Sequence, residues 1–258
     1  MAVTIKDVAA AAGVSIATVS RLLNDKGPVR EEVQQRVREM ALRLRYVPHS
    51  GARSLITRST RTVGVVLPDL HGEFFSELIR GLDRACRAGG FHLLVAAAHA
   101  GEEDVAAALR ALRGRIDGLV VMSPDVGGPP LRANLPDGLP VVMLNCVVKD
   151  PGLDSISVDS FGGAFAMTRH LLECGHSRVA FVGGPPANFD ARERLRGYRE
   201  ALAAAGVEGA AGLELPGDFS EESGHRAGQR LLEFEPRPDA VFAANDSMAL
   251  GVLAALRE

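Results

Sequence analysis

Three cysteines, Cys86, Cys146 and Cys174, form no C-x-x-C pair, so the sequence offers neither a disulfide framework nor a zinc site of ordinary spacing. Buried free thiols are the expectation for all three. Uninterrupted apolar runs of the ~18 residues that span a bilayer are absent. The N-terminal stretch "MAVTIKDVAAAAG" places Lys6 and Asp7 where a secretory leader keeps its apolar segment. The expectation is a soluble, cytoplasmic protein with no membrane partner.

The chemistry of turnover is equally scarce. There is no G-x-x-x-x-G-K-[ST] loop, no G-x-G-x-x-G after the first strand, no H-E-x-x-H and no G-x-S-x-G elbow. The seven histidines are scattered, with no i,i+4 pair to hold a metal. No enzyme, no metal and no cofactor are expected.

What is present is a division of charge. Residues 1–60 carry ten Lys and Arg against five Asp and Glu, a balance of +5, and the remainder of the chain carries −8. A basic head on an acidic body fits a polyanion-binding module joined to something else, although a solvated helical surface would give the same count. With 258 residues, 47% of them hydrophobic, two or three folded units are possible.

The head reads as helices. Thr4 stands three residues before Asp7, the spacing of a capping box, and Ile5, Val8, Ala9 and Ala12 then share one face. Gly13 supplies a tight turn, and Ser15 is placed to cap a second helix, "IATVSRLL". Its inward stripe is Val19, Leu22 and Leu23, which leaves Ile16, Ala17, Ser20 and Arg21 on the open side. A third helix, "REEVQQRVREMALRL", repeats Val33, Val37, Met40 and Leu44 and is expected to end at Pro48. Two short helices about a glycine turn make a helix-turn-helix candidate. Small apolar side chains such as Ile16 and Ala17 suit thymine methyls, and Arg21 suits a guanine edge, while Thr18, Ser20 and Asn24 would serve phosphates.

The stretch "SGARSLITRST", residues 50–60, joins the two halves. Ala52, Leu55 and Ile56 form a stripe too short to stand as a free helix, so it would order only against a partner. From there on, β-branched runs alternate with helical segments in two series, the second opening near residue 159, as parallel α/β sheets require. The carboxyl ends of such strands are where ligands bind. They carry Asp69 with Phe74 and Phe75, Ser123, Asn145, Asp159, Asn188 with Arg194, Phe219, and Asn245. These are hydrogen-bonding and ring-stacking groups, a set for holding a small molecule. Each singly is equally explained by capping or packing, and convergence at one cleft would distinguish the two.

Taken together, "TIKDVAAAAGVSIATVSRLLND", "YVPHSGARSL", "VGVVLPD", "RLRGYREALAAAG" and "AVFAANDSMALGVL" resemble the lactose-repressor (LacI/GalR) family of bacterial transcription regulators over the whole chain. The resemblance implies an all-α helix-turn-helix DNA-binding head (1–48), a hinge helix or linker (49–60), and an α/β two-lobed, periplasmic-binding-protein-like body of parallel sheets (61–159 and 160–258). It implies a homodimer or larger assembly on palindromic operator DNA and a small-molecule effector between the lobes, a carbohydrate before a purine or other non-sugar. Ile16, Ala17 and Arg21 fall where the family reads bases, and Leu55, beside Ala52 and Arg53, falls on its minor-groove wedge. Phe74, Phe75, Arg194, Phe219 and Asn245 fall on effector-contact positions. A solute-binding protein without a regulatory role is the competing expectation.

Two departures bear on this. Gly51 replaces a residue with a side chain, which costs up to ~1 kcal/mol of helix propensity and makes the free hinge less helical. The chain also stops at Arg257 and Glu258, where family members continue, so the second lobe is expected to be incomplete, with reduced solubility or compensating association.

Overall fold

A computed structural model describes residues 3–23, 28–46, 59–70, 72–99, 101–123, 132–135, 138–146, 152–207 and 210–258. Contacts divide the chain into two units, Met1–Thr62 with Arg115–Asp117, and Val63–Gly114 with Gly118–Glu258.

Among the described residues, the first unit is built on three helices, α1 (Ile5–Ala12), α2 (Ile16–Leu23) and α3 (Glu31–Arg43). The Asp7 carboxylate accepts the Thr4 N–H at 2.8 Å and the Thr4 hydroxyl at 2.7 Å, closing the start of α1. Gly13 ends the helix with φ 63°, a left-handed conformation that a side chain would disfavour. The Ser15 hydroxyl oxygen accepts the Thr18 N–H at 3.1 Å, as expected of a cap. Val8, Val19 and Val37, one from each helix, are wholly buried, with Leu22, Leu23, Val33, Met40 and Leu44 packed around them. Burial of ~1.5–3 kcal/mol per such side chain is what sets the three helices against each other. One expectation is corrected here. Helix α3 ends at Arg43, and Arg45 turns into the left-handed region at φ 51°, so the helix is over before Pro48, which lies outside the described residues.

The second unit holds two sheets. The first comprises β1 (Thr62–Leu67), β2 (His92–Ala97), β3 (Gly118–Met122), β4 (Val141–Leu144) and β5 (Asp154–Ile156), in the order β2-β1-β3-β4-β5. Strands β1 and β3, β3 and β4, and β4 and β5 pair in parallel, starting from Val63 opposite Gly118. Helix α4 (Glu73–Ala88) links β1 to β2 and α5 (Gly101–Leu112) links β2 to β3. The run Val65-Val66-Leu67 is wholly buried, as a strand covered on both faces demands.

Helix α6 (Ser160–Glu173) opens the second series. It continues through β6 (Val179–Val182), α7 (Phe189–Ala204), β7 (Glu214–Leu215), α8 (Glu221–Leu231), β8 (Ala240–Ala243) and α9 (Asp246–Ala255). The second sheet has the order β7-β6-β8, all parallel. Every residue of β6 is buried, and the Tyr198 ring of α7 stacks on Phe181 at 5.0 Å while its hydroxyl donates to the Val179 carbonyl at 2.8 Å. Burial pushes that phenol up to about 12. The two expected α/β lobes are thus present. The sequence pattern missed β5, whose three residues are all exposed.

The thiols depart from expectation. All three are free, but only Cys86 is buried; Cys146 is half-buried and Cys174 is exposed at the end of α6, its sulfur 3.7 Å from His170 Nε2. The second lobe depends instead on close helix packing. A Cβ on Gly251 of α9 would lie 2.0 Å from the Glu221 carbonyl oxygen of α8. Gly251→Ala gains ~1 kcal/mol in helix propensity, but overpacking at this contact costs more, ~1–3 kcal/mol. The variant is expected to be the less stable in urea denaturation; a midpoint at or above wild type would show that α8 yields freely.

Candidate functional site

In the head, Val19 points into the core and the opposite side of α2 is left open: Ile16 is 45% exposed, and Ala17 and Arg21 are also exposed. Thr18 and Ser20 are half-buried, and the Thr18 hydroxyl lies 2.9 Å from that of Ser15, so part of its hydrogen-bonding capacity is used locally. Arg21 is therefore a long donor beside two apolar side chains on an exposed helix face. Asn24 and the hinge residues Ala52, Arg53 and Leu55 lie outside the described residues.

In the body, a series of hydrogen bonds, linked by neighbouring residues of the chain, runs from the first lobe to the second. At the end of β3, the Ser123 N–H donates to the Cys146 sulfur at 3.2 Å. Burial pushes the Cys146 thiol up to about 11, so it is neutral at physiological pH and bridges to the Leu144 carbonyl at 3.1 Å. Asn145, at the end of β4, accepts the Val158 N–H on Oδ1 at 2.9 Å. Asp159 then caps α6 by accepting the Gly162 N–H at 2.7 Å. The Ser160 hydroxyl donates to the buried Asp190 carboxylate of α7 at 3.0 Å, and Asn188 caps the same helix through the Ala191 N–H at 3.0 Å.

One turn along α7, Arg194 donates to the Ala244 carbonyl at 2.5 Å, beyond the end of β8. Next in sequence, Asn245 accepts the Met248 N–H at 3.0 Å to cap α9 and donates its amide to the Phe219 carbonyl at 2.9 Å. Ser123, Asn145, Asp159, Arg194, Phe219 and Asn245 are thereby brought onto one path. Asp69, Phe74 and Phe75 are held by first-lobe contacts: Asp69 accepts the Leu70 N–H at 2.6 Å, and Phe75 packs on Val65, Leu67 and Met122. The ring of Phe74, 49% exposed, meets that of Phe75 edge-on at 5.2 Å.

Two of these positions have left-handed backbone, which asparagine tolerates and phenylalanine does not. Asn145 has φ 45° and Phe219 φ 71°, left-handed values that a bulky residue such as phenylalanine adopts only when its surroundings impose them. Around Phe219 the imposition is visible. A Cβ on Gly184 would fall 2.3 Å from the Phe219 ring, so the glycine makes the space the ring occupies, and the Asn245 amide holds its carbonyl. Beside it, Asp218 is lowered from the usual carboxylate range, first by the Ser220 hydroxyl and then by the Ser220 N–H. Sequence reasoning missed Asp190, Ser160 and the bridging role of Cys146. An acidic residue in the first turn of a helix is unremarkable, and nothing in the sequence shows that Asp190 meets Ser160 thirty positions away.

Comparison with known proteins adds the family. Residues 4–49 match the pattern of bacterial regulatory proteins of the lacI family, and residues 60–258 that of periplasmic binding proteins and the sugar-binding domain of the LacI family. The chain is 36% identical to the ribose operon repressor of Escherichia coli (strain K12) over 98% of its own length and 77% of that protein. It is 32% identical to catabolite control protein A of Priestia megaterium, again over 98% of its length and 77% of the other. Among solved structures, it resembles the lac repressor dimer bound to operator and the anti-inducer ONPF, with TM-score 0.86 and 28% identity, covering 100% of this chain and 78% of that one.

Asn245 yields a prediction from this geometry. Asn245→Ala removes a helix cap worth ~1 kcal/mol, and it also releases Phe219. Asn245→Asp keeps the cap oxygen and loses only the donor to Phe219. Chemical denaturation is expected to rank wild type first, then Asp, then Ala, and equal stability of Ala and wild type would show that the cap contributes nothing. With a helical head, two parallel α/β lobes and relatives of this kind, the chain belongs to the LacI family of bacterial regulatory proteins.

Proposed function

We propose that the chain is a sequence-specific transcriptional repressor acting as a homodimer, in which residues 1–48 read operator DNA, 49–60 form the hinge, and the lobes 61–159 and 160–258 bind a small carbohydrate effector. The observation that carries the reading is the split of α2, with Val19 wholly buried and Ile16, Ala17 and Arg21 left open. Thr18, Ser20 and Asn24 would hold phosphates, and Ala52, Arg53 and Leu55 would enter the minor groove. A solute-binding protein has no use for such a helix or for the +5 charge of the first 60 residues.

The path from Ser123 to Phe219 favours binding over turnover. Its groups are amides, carboxylates, a guanidinium and a ring, and its thiol is held neutral, so the site is read as non-enzymatic. A sugar suits it because short polar side chains pair with hydroxyls and an aromatic face stacks on a pyranose or furanose ring; the ribose operon repressor is named for the operon of such a sugar. No helix among the described residues is long and apolar enough to cross a membrane, which is compatible with action on DNA in the cytoplasm. Coupling follows from differential affinity: an inducer binds the DNA-free arrangement more tightly, a corepressor the reverse.

Selection of duplexes from a random-sequence library by the full chain, followed by a screen of sugars and purines for a change in affinity, tests this reading. The selected duplex is expected to bind with a steep salt dependence. Arg21→Ala should cost ~1–3 kcal/mol on that duplex and relax preference at one base pair, with little loss on random DNA. Leu55→Ala should likewise weaken the selected duplex far more than random DNA. Equal losses on both duplexes would reduce Arg21 to a phosphate contact.

A further inference from the structure

Immediately before β3, one carboxylate gathers four donors from three consecutive residues. Asp117 Oδ1 accepts the Thr60 N–H at 2.7 Å and the Thr60 hydroxyl at 2.8 Å, while Oδ2 accepts the Ser59 hydroxyl at 2.5 Å and the Arg61 N–H at 2.8 Å. The N–H of Asp117 itself donates to the Thr62 carbonyl at 2.7 Å, and the β1–β3 ladder starts at the next pair. Partial burial raises the carboxyl, but the bonds from Ser59, Thr60 and Arg61 together outweigh it and bring Asp117 down to about 2. The charged form, with two acceptor oxygens, is what fits.

The second lobe repeats the device. Asp239, immediately before β8, accepts the N–H and hydroxyl of Ser177 at 2.9 and 3.2 Å and the N–H of Arg178 at 3.0 Å, and its own N–H donates to the Arg178 carbonyl at 3.0 Å. There the clamped residues only carry the chain from α6 into β6. In the first lobe the clamped residues, 59–61, are the end of the segment that leaves the head.

We propose that Asp117 is the positioning residue of the linker: it fastens the C-terminal end of the hinge to the start of β3, so that displacement of this strand is delivered to the hinge. This rests on reading 49–60 as the hinge. Without the clamp, residues 59–61 would join head and body as a slack tether, and a slack tether transmits little. Asp239, with the same chemistry and no linker attached, is the internal control.

The test compares the full-length wild type, Asp117→Asn, Asp239→Asn and Thr60→Val. An Asn keeps one acceptor and turns an N–H₂ toward two donors, so amide exchange at Thr60 and Arg61 in Asp117→Asn should quicken by about tenfold. Its affinity for the duplex selected by the wild type should fall by about tenfold, with affinity for random duplex unchanged. Asp239→Asn should lose comparable thermal stability yet bind both duplexes as wild type does. Equal weakening of the selected duplex by both Asn variants would overturn the proposal, since a structural cost alone would then explain it. Wild-type affinity in Asp117→Asn would overturn it too. Should Asp117→Asn fail to fold, Thr60→Val, which removes one bond of the four, carries the same comparison with a smaller loss. If the wild type selects no duplex, the repressor reading fails by itself; unchanged exchange at Thr60 and Arg61 would then still sink the clamp.

Discussion

The first backbone N–H groups of every helix have no partner within the helix, and much of the second unit is arranged around meeting that need. Asp159, Asn188, Ser220 and Asn245 each place a side-chain oxygen on such an N–H at the start of α6, α7, α8 and α9. In a parallel sheet these helix starts follow the carboxyl ends of the strands, which is also where a ligand would bind. A ligand bound there would therefore draw on the side chains that cap these helices. A cap leaves the second oxygen lone pairs or the amide N–H₂ available, and Asn245 shows the division: Oδ1 serves the helix and Nδ2 serves Phe219.

Because of that sharing, capping and binding could not be told apart residue by residue from the sequence. Asp159, Asn188 and Asn245 satisfy both descriptions, and the structure shows the capping half. Next to them in the chain, Ser160 reaches Asp190 and Arg194 reaches Ala244, contacts thirty and fifty positions apart that no local pattern shows.

The legible parts of the molecule are those where local chemistry and tertiary packing agree. Thr4, Gly13 and Ser15 punctuate the head as their side chains require, and the buried stripes of α1, α2 and α3 follow helical spacing. Where long-range contacts decide, the pattern was silent or misleading. Strand β5 is three exposed residues that only pairing with β4 makes a strand. Pro48 looked like the helix breaker, yet Arg45 turns the chain first. Cys174 has the composition of a core residue and stands in the open. Left-handed backbone at Phe219 has no local cause, since its bulky side chain disfavours it, whereas Asn145 tolerates it.

The pairing of Gly184 with Phe219 couples the two positions. The ring fills the volume that any side chain at 184 would need, and the backbone at 219 is bent to keep it there. A side chain at 184 meets the ring and a smaller residue at 219 leaves a void, so the two positions are expected to change together. That makes the corner slow to diversify, and substitution is easier at positions whose neighbours can move.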